Sequence, residues 1–187
     1  ENRIDFASVS FLKNLTWEPV NANQSTMIGY RTALKSINPI KVKTDPYGLS
    51  YLALDASGNL YSFGRNTHGQ LGNGTTSYVS AAEPVGQNIK DFDVGHLHSA
   101  IISGDNDELL FAGNSTYGQI AGRPSNAYNL TTFTKVNIAG IGKIACGAYH
   151  TMYVTRIGNV YTHGYNGWGQ LGRPTAGASS TAIPSNS

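Results

Sequence analysis

The sequence predicts an all-β fold in which four-stranded antiparallel sheets repeat as the blades of a partial β-propeller. The first observation is a repeat of about fifty residues, because similar glycine-rich segments begin at Gly64, Gly113 and Gly164, which lie 49 and 51 residues apart. The second is that each repeat holds short apolar or aromatic runs joined by turn residues, an arrangement typical of a propeller blade. The third is that no segment of the repeats keeps apolar residues at helical spacing for two turns.

Each repeat begins with two strand-like runs that predict a β-hairpin. The runs are apolar, β-branched or aromatic, and residues of the Gly, Asn and Asp types separate them. This combination is the usual sequence signal of an antiparallel hairpin. The predicted pairs are 50–54 with 59–63, 98–103 with 108–112, and 150–155 with 159–163.

A glycine-rich corner follows each hairpin, and its recurring Gly-Gln step predicts a structural role. The anchor glycine ends the second strand, where crowded backbone or a positive φ excludes a Cβ. A second glycine reverses the chain, and the amide of the next glutamine can donate to and accept from backbone groups that no strand satisfies. A catalytic role for the glutamine is the weaker alternative. The corner residues are Gly64, Gly69 and Gln70, then Gly113, Gly118 and Gln119, then Gly164, Gly169 and Gln170.

After the corner, each repeat continues through a variable polar segment into two further short runs. The third run is seen at 83–85 and 133–136, and the fourth, at 88–94 and 141–146, leads into the next hairpin. The predicted repeats therefore occupy about 40–86, 87–137 and 138–187. Residues 1–39 are interpreted as an N-terminal segment with a degenerate partial repeat, indicated by "WEPV" at 17–20, and an insertion with a short helix.

These motifs resemble the repeats of the regulator of chromosome condensation family. The segment "CGAYHTMYVTRIGNVYTHGYNGWGQLG" at 146–172 has the Cys-Gly-x-x-His start, the hairpin and the Gly-x-Asn-x-x-Gly-Gln-Leu-Gly corner of those repeats. The resemblance covers about residues 40–184 and implies blades of a propeller that usually has seven. Two departures are the second corner, which reads Gly-Gln-Ile-Ala-Gly, and Ser50, which stands where the third repeat has His150.

Composition argues against several classes of protein. Charged residues are 13% of the 187, the formal net charge is +2, and no basic run appears, so no nucleic-acid partner is predicted. No apolar run approaches the roughly twenty residues of a membrane span. The single cysteine, Cys146, excludes an internal disulfide and a Cys-rich zinc site. No cofactor is predicted.

The only candidate metal ligands lie near the start of the second hairpin. His96 and His98 have the spacing of two ligands on one strand face, and Asp91 and Asp93 are close in sequence. The better interpretation is a structural histidine, because His98 falls in the same repeat position as His150. Since neither a Ser-His-Asp pattern nor paired carboxylates can be identified, an enzyme is not predicted.

The variable segments are the predicted partner-binding surface. Segments 73–82, 123–132 and 173–182 occupy the same place in each repeat and are expected to emerge as loops on one rim. Tyr78, Asn126 and Tyr128 are the predicted contact residues, because an aromatic ring with a polar tip gives much contact area for little lost rotamer freedom.

A planar side chain precedes the second corner glycine in every repeat: His68, Tyr117 and Trp168. These residues are predicted to pack beside the corner, and a ligand platform is the weaker alternative.

The composition and the repeats are compatible with two functions. The first is a non-enzymatic binding or structural module of a virion, such as a phage tail fibre or capsid-associated protein, or of a cell surface. It would contact a protein or a host-surface glycan, and a partner or further copies of itself would complete the propeller. The resemblance implies the alternative, a nucleotide exchange factor for a small GTPase that docks on chromatin, although the long inserted hairpin and basic tail are not found. The chain starts with Glu1, so a processed product, an excerpt or the ordered part of a longer protein is expected.

Overall fold

Within the described part of the chain, the fold consists of three four-stranded antiparallel sheets, in agreement with the predicted all-β propeller fold. The computed structural model describes residue 34 and residues 37–125, 127–174 and 179–184. Sheet 1 consists of β1 (Lys41–Thr44), β2 (Ser50–Leu54), β3 (Leu60–Gly64) and β4 (Val79–Gly86). Sheet 2 consists of β5 (Ile89–Val94), β6 (His98–Ser103), β7 (Glu108–Ser115) and β8 (Ala127–Lys135). Sheet 3 consists of β9 (Ile141–Cys146), β10 (His150–Thr155), β11 (Val160–Gly164) and β12 (Ser179–Pro184).

The three predicted hairpins are confirmed as β2–β3, β6–β7 and β10–β11. Local chemistry explains the first of their turns. The Asp55 carboxylate accepts hydrogen bonds from the backbone N–H groups of Ser57 and Asn59, at 2.8 and 2.9 Å. Gly58 takes a φ of +81°, which residues with a Cβ rarely adopt. The turn residues therefore supply local hydrogen bonds and a backbone conformation that reverse the chain.

The first strands of the sheets lie next to one another and form the inner edge of the array, since β1 contacts β5 and β5 contacts β9. Ion pairs connect the first two: Lys41 with Asp91, and Lys43 with Asp93 at 2.9 Å. β4, β8 and β12 lie at the opposite edge of each sheet. The sheets are thus arranged side by side, as propeller blades are.

Apolar side chains fill both junctions between sheets. Leu52 and Leu60 of sheet 1 pack with Phe92 of sheet 2 at the first junction. Phe111 of sheet 2 packs with Tyr153 of sheet 3 at the second. All five are at most 1% exposed, so neighbouring sheets hold each other mainly through the hydrophobic effect.

The variable segments are shorter than predicted, because the outer strands begin earlier. β4 begins at Val79, β8 at Ala127 and β12 at Ser179, so the ends of the predicted loops at 73–82, 123–132 and 173–182 are strand. The prediction missed this because an outer strand needs only one apolar face, and Thr and Tyr are good strand formers despite their polar groups.

Most of the N-terminal segment 1–39, including the partial repeat at 17–20, lies outside the described residues. Leu34 and Ile37 have helical backbone, and Leu34 packs against the cluster of Phe63, Leu71 and Val79 in sheet 1. Among the described residues, no helix is both long and apolar enough to cross a membrane.

Candidate partner-binding surface

One end of the array, called here the corner end, gathers the corners and the turns that precede β2, β6 and β10. Strands β3, β7 and β11 are antiparallel to β2, β6 and β10, so each of them ends beside the turn at which its partner strand begins. The backbone N–H of Arg65 donates to the carbonyl of Leu49 at 2.8 Å, and Tyr165 donates to Tyr149 at the same distance. The hairpin turns lie at the other end, called here the hairpin end.

Steric crowding explains the anchor glycines. Gly64, Gly113 and Gly164 have φ values of +103°, +103° and +117°. A Cβ on Gly113 would clash with the carbonyl oxygen of Leu97 in the adjacent turn. The glycine therefore lets the corner begin directly beside that turn.

The corner glutamines stabilise the turn through their side chains. Oε1 of Gln70 accepts from the backbone N–H of His68 at 2.9 Å, and its Nε2 donates to the Ser50 hydroxyl at 3.3 Å. The same Oε1 bond recurs at Gln119 and Gln170, at 2.8 and 2.9 Å. Gln70 and Gln119 are fully buried, whereas Gln170 is half-buried. The preceding glycines at 69, 118 and 169 all have φ between +70° and +77°.

Hydroxyl groups connect the first two corners to the sheets that follow them. Ser99 donates to the backbone carbonyl of Gln70 at 2.5 Å, and Thr151 donates to that of Gln119 at 2.8 Å. Nε2 of His98 lies 2.8 Å from the same Thr151 hydroxyl oxygen. Since all these groups are buried, the corners are held in fixed positions relative to one another.

A continuous line of aromatic rings crosses the corner end. Successive ring centroids lie 4.5, 5.5, 5.1 and 5.3 Å apart. Three of these four contacts are edge-to-face and the fourth is tilted, and aromatic pairs favour edge-to-face contact over direct face-to-face stacking. This aromatic row draws on turns and corners of all three sheets and consists of Tyr47, His96, Tyr149, Tyr117 and Tyr165.

Arg65 fixes the start of the aromatic row. Its guanidinium donates to the carbonyl of His96 at 3.1 Å and contacts Nδ1 of the same residue at 3.0 Å. It also pairs with the buried carboxylate of Asp45 at 3.3 Å. The same carboxylate lies 3.5 Å from Nδ1 of His96, so the three side chains form one polar cluster at this end of the row.

The corner end also has strongly exposed aromatic side chains. Trp168 is 87% exposed and Tyr47 is 62% exposed. The prediction that the planar residue before each corner glycine packs beside the corner is wrong for Trp168. Tyr117, in the same repeat position, packs between Tyr149 and Tyr165.

The predicted contact residues lie at the corner-end rim of the outer strands. Tyr78 directly precedes β4 and is 56% exposed. Tyr128 is 78% exposed but lies on strand β8 rather than in a loop. The Arg123 guanidinium sits 4.6 Å from its ring centroid and donates to its carbonyl at 3.1 Å. Asn126 lies outside the described residues.

The two histidines considered as metal ligands do not converge. His96 belongs to the aromatic row, while His98 is buried at the junction with sheet 3. Asp91 and Asp93 are paired with lysines at the inner edge. In the part of the chain that the structure describes, no three His, Cys, Asp or Glu side chains form a cluster that could hold a metal ion.

Burial keeps two histidines neutral. It lowers the pKa of His98 from 6.5 to about 3, with smaller contributions from His163, His150 and His96. It also lowers the pKa of His163 to about 4. Each ring uses one nitrogen as a hydrogen-bonding group, toward Thr151 and toward the Gly118 carbonyl respectively. Both rings therefore act as uncharged packing groups between sheets.

Sequence reasoning did not identify Tyr47, Arg65, Tyr149 and Tyr165 as surface residues. Two of them, Arg65 and Tyr165, directly follow an anchor glycine, and Tyr149 directly precedes β10. The signal available was therefore an aromatic or guanidinium side chain next to a corner. It could not be used without knowing that turns and corners of different repeats meet at one end.

Family models match two segments of the chain. Both describe the regulator of chromosome condensation (RCC1) repeat, one at residues 57–102 and the other at residues 142–170. The first begins within the first hairpin and ends in β6, and the second runs from β9 to the third corner. The matched units are thus the repeats described above.

Known proteins with similar sequence or structure are considerably longer. The ultraviolet-B receptor UVR8 of Arabidopsis thaliana is 32% identical over 74% of this chain, which spans 33% of that protein. The regulator of chromosome condensation of Xenopus laevis is 28% identical over 76% of the chain, which spans 35% of it. The structure of Prp20p from Saccharomyces cerevisiae superposes with a TM-score of 0.71 at 19% identity, over 88% of this chain and 44% of Prp20p.

Proposed function

Because the chain belongs to the regulator of chromosome condensation repeat family, we propose that it is a non-enzymatic protein-binding propeller module whose corner end contacts the partner. The observation that carries this proposal is the aromatic row, which runs without interruption across all three sheets. Its first ring, that of Tyr47, is exposed, and the exposed Trp168 follows its last member, Tyr165, by three residues.

The composition of this surface favours a protein partner. Tyr, Trp and Arg are the side chains that contribute most often to the energetic centres of protein interfaces. Trp168, at 87% exposed, leaves a large apolar area uncovered, and burying it would contribute to affinity. The tyrosines present hydroxyl groups at the edge of apolar rings, so they can satisfy polar groups that a partner brings.

The scaffold also suits binding. The Ser99 and Thr151 hydroxyls hold the corners in place, and Arg65 fixes His96. A surface that is already ordered loses little conformational entropy when it binds. Tyr78 and Tyr128, at the outer rim, are proposed to extend the contact area.

For its location, we propose a virion or a cell surface, where the partner would be a protein or a glycan of the host. The support is compositional: only 13% of residues are charged, and the chain has 22 glycines and 11 tyrosines. Polar, tyrosine-rich surfaces on a rigid scaffold are common in adaptable binding proteins.

The second candidate function is regulation of a small GTPase by nucleotide exchange. It is favoured by the similarity to the Xenopus regulator of chromosome condensation and to Prp20p, whose structure was described together with its binding to Gsp1p and histones. A shared fold does not fix function, so the two candidates have to be separated by experiment.

The test compares one double variant at each part of the proposed surface with a matched control. Tyr47→Ala with Trp168→Ala removes the exposed first ring of the aromatic row and the exposed ring of Trp168, and Tyr78→Ala with Tyr128→Ala removes the exposed rings of the rim. Ile157→Ala is the control, because Ile157 is 85% exposed in the β10–β11 turn at the hairpin end. Attachment of the particle or cell that carries the protein is measured, together with release of labelled GDP from a small GTPase.

We expect the Tyr47/Trp168 variant to reduce attachment at least about tenfold, as loss of an interface centre usually does. The rim variant should have a smaller effect, and Ile157→Ala should leave attachment unchanged. Equal attachment by all variants would refute the proposed surface. Stimulated GDP release by the unmodified protein would favour the exchange-factor function instead.

A further inference from the structure

The aromatic row presents tyrosines at a regular spacing. Every second member of the row is a tyrosine: Tyr47, Tyr149 and Tyr165. Centroid distances of 4.5 and 5.5 Å on either side of His96 place Tyr47 and Tyr149 no more than about 10 Å apart. Distances of 5.1 and 5.3 Å on either side of Tyr117 set nearly the same limit for Tyr149 and Tyr165. The row therefore consists of two similar steps that share the Tyr149 ring.

The first step has a less exposed ring between two tyrosines. The His96 side chain is only 15% exposed, whereas Tyr47 is 62% exposed. Tyr47 and Tyr149 both contact the His96 ring edge to face. Arg65 holds His96 in place by donating to its carbonyl at 3.1 Å. The first step is thus a shallow, ordered hollow with a tyrosine on two sides.

The row offers hydrogen-bond donors that no described residue uses. Its four tyrosine hydroxyls make no hydrogen bond to another described residue. Nη1 of Arg65 also has no partner among the described residues, because Nη2 makes the contacts with Asp45 and His96. Trp168, three residues after Tyr165, is 87% exposed. Its indole N–H can donate to a carbonyl oxygen, as a tyrosine hydroxyl can.

Accessible carboxylates are missing from the segments that form the corner end. These segments contain one acidic residue, Asp45, and three arginines. The Asp45 side chain is fully buried, accepts from the backbone N–H of Leu49 at 2.6 Å and pairs with Arg65. A ligand at the row therefore meets donors and no exposed acid of these segments. The segments are 45–49, 65–78, 95–97, 114–127, 147–149 and 165–178.

These features match the chemistry of a proline-rich segment in the polyproline II conformation. Proline has no backbone N–H, and this conformation has no internal hydrogen bonds, so its carbonyls are acceptors that need donors. With three residues per turn and a rise of about 3.1 Å, residues i and i+3 lie about 9 Å apart on one side. That distance is compatible with the two steps of the row. Grooves lined by aromatic side chains are the usual docking sites of such segments.

Two other ligand classes fit this surface less well. A glycan presents many hydroxyl groups that donate, and it would find no accessible carboxylate in these segments to accept from them. An alkylated ammonium group is attracted to aromatic faces. The partly exposed guanidinium of Arg65 at the start of the row would repel such a cation. Unused donors without accessible acids thus favour a ligand rich in carbonyl acceptors.

We propose that the aromatic row binds a proline-rich segment of the partner in the polyproline II conformation, an inference that rests on the protein-binding function proposed above. Residues i and i+3 of this segment pack in the two steps, on either side of Tyr149. Carbonyls of the segment accept from the tyrosine hydroxyls and from Arg65. Because the corner-end segments have arginines and no exposed carboxylate, acidic residues beside the prolines are preferred to basic ones.

The experiment measures dissociation constants of fluorescein-labelled peptides with the full chain by fluorescence anisotropy. Decaproline is the probe, because proline-rich chains adopt the polyproline II conformation, and a glycine–serine peptide of equal length is the flexible control. Two further peptides carry two glutamates or two arginines at each end of decaproline. Chitohexaose, an uncharged oligosaccharide, represents glycans and is tested as a competitor of decaproline and by calorimetry.

Three variants probe the row, and one is a control. Tyr149→Ala removes the ring that both steps share, and Tyr149→Phe removes only its hydroxyl. Tyr47→Ala repeats the test at the exposed end of the row, where the loss of a ring leaves no buried cavity. Ile157→Ala is the control, because Ile157 is 85% exposed at the hairpin end. Urea unfolding shows which variants remain folded.

Decaproline should bind, and the glycine–serine peptide should not. Tyr149→Ala and Tyr47→Ala should each weaken binding about tenfold, as loss of an interface aromatic does. Tyr149→Phe should weaken it about fivefold, as expected for one hydrogen bond, and Ile157→Ala should have no effect. The glutamate-flanked peptide should bind about threefold more tightly than the arginine-flanked one at low salt, and high salt should remove this difference.

The proposal is overturned if decaproline does not bind, if both ten-residue peptides bind equally, or if neither Tyr47→Ala nor Tyr149→Ala weakens binding. Tighter binding of chitohexaose than of decaproline would also overturn it. Attachment of the particle or cell separates these failures from failure of the proposed function. Loss of attachment in the Tyr47/Trp168 variant without decaproline binding would leave the surface and refute this ligand. Decaproline binding with unchanged attachment would support the ligand and refute the proposed function.

Discussion

Thr151 donates its hydroxyl proton to the backbone carbonyl of Gln119, 2.8 Å away, across the junction between sheets 2 and 3. A threonine hydroxyl has one proton, so the contact with His98 Nε2 at 2.8 Å requires that His98 is the donor. The histidine is therefore the Nε2–H tautomer. The Thr151 hydroxyl thus donates to a corner carbonyl of the preceding sheet and determines which nitrogen of the buried His98 carries the proton.

Replacing Thr151 with valine keeps the shape of the side chain and removes the hydroxyl. We expect a loss of about 1–3 kcal/mol in the free energy of unfolding, because the Gln119 carbonyl and the His98 N–H would both be left buried without a partner. Urea denaturation measures the loss. Thr76→Val is the matched control, since Thr76 is exposed, and a similar loss in both variants would contradict the interpretation.

The corner glutamines should differ in their contribution to stability. Gln70 is fully buried and bonded through both ends of its amide, so Gln70→Ala should cost about 1–3 kcal/mol. Gln170 is half-buried, and water can reach the groups that Gln170→Ala would expose. The loss of unfolding free energy in Gln170→Ala should therefore lie at the lower end of that range. A larger cost for Gln170→Ala in thermal and urea unfolding would contradict this ranking.

The second corner glycines offer a matched pair for steric crowding. Gly69 and Gly169 have φ of +77° and +73°, so alanine has a similar backbone cost at both, about 1–2 kcal/mol. Only at Gly69 would the Cβ also meet backbone, 2.8 Å from the Leu130 oxygen and 2.9 Å from Thr131 Cα. Gly69→Ala should therefore be less stable than Gly169→Ala by about a further 1–3 kcal/mol. Equal stabilities would show that β8 shifts freely.

Stability should decrease as the pH falls from neutral toward 4. The pKa of His98 is lowered from 6.5 to about 3 and that of His163 to about 4, so the unfolded state binds more protons in this range. The stability that comes from keeping these two histidines neutral is fully present above pH 6.5. It is lost as the pH falls toward their pKa values in the folded state. Proton linkage predicts that each histidine lowers the free energy of unfolding by about 2 kcal/mol between pH 8 and pH 5.

The measurement is the free energy of unfolding at pH 8, 6 and 5. His98→Gln keeps a donor for Thr151 without a titrating ring, so its pH dependence should be shallower. Asp107, whose pKa is lowered to about 2 by bonds to Arg156 and Lys90, contributes in the same direction but only below its ordinary value of 3.8. An unchanged slope in His98→Gln would mean that other groups cause the loss.

Sequence patterns predicted the sheets well because the relevant interactions are local. The hairpins follow from strand-forming runs on either side of a turn, and the corners follow from positions where only glycine fits. The outer strands were predicted less well, because β8 begins with Ala127 and Tyr128, whose sequence context is that of a polar loop. Pairing with β7 makes this segment a strand, and the partner lies outside any local pattern.

The sequence by itself determined the repeat, the hairpins and the corners, since the spacing of the glycines is visible along the chain and each hairpin and corner is built from residues of a single repeat. Only the tertiary structure decided which repeated positions are buried. Tyr117 and Trp168 occupy the same position, yet one packs in the aromatic row and the other is 87% exposed. His98 and His150 also share one repeat position, and His98 is fully buried whereas His150 is half-buried. The exposure of a repeat residue is set by the adjacent sheet, which comes from chain about fifty residues away, so an identical local motif acquires a different environment.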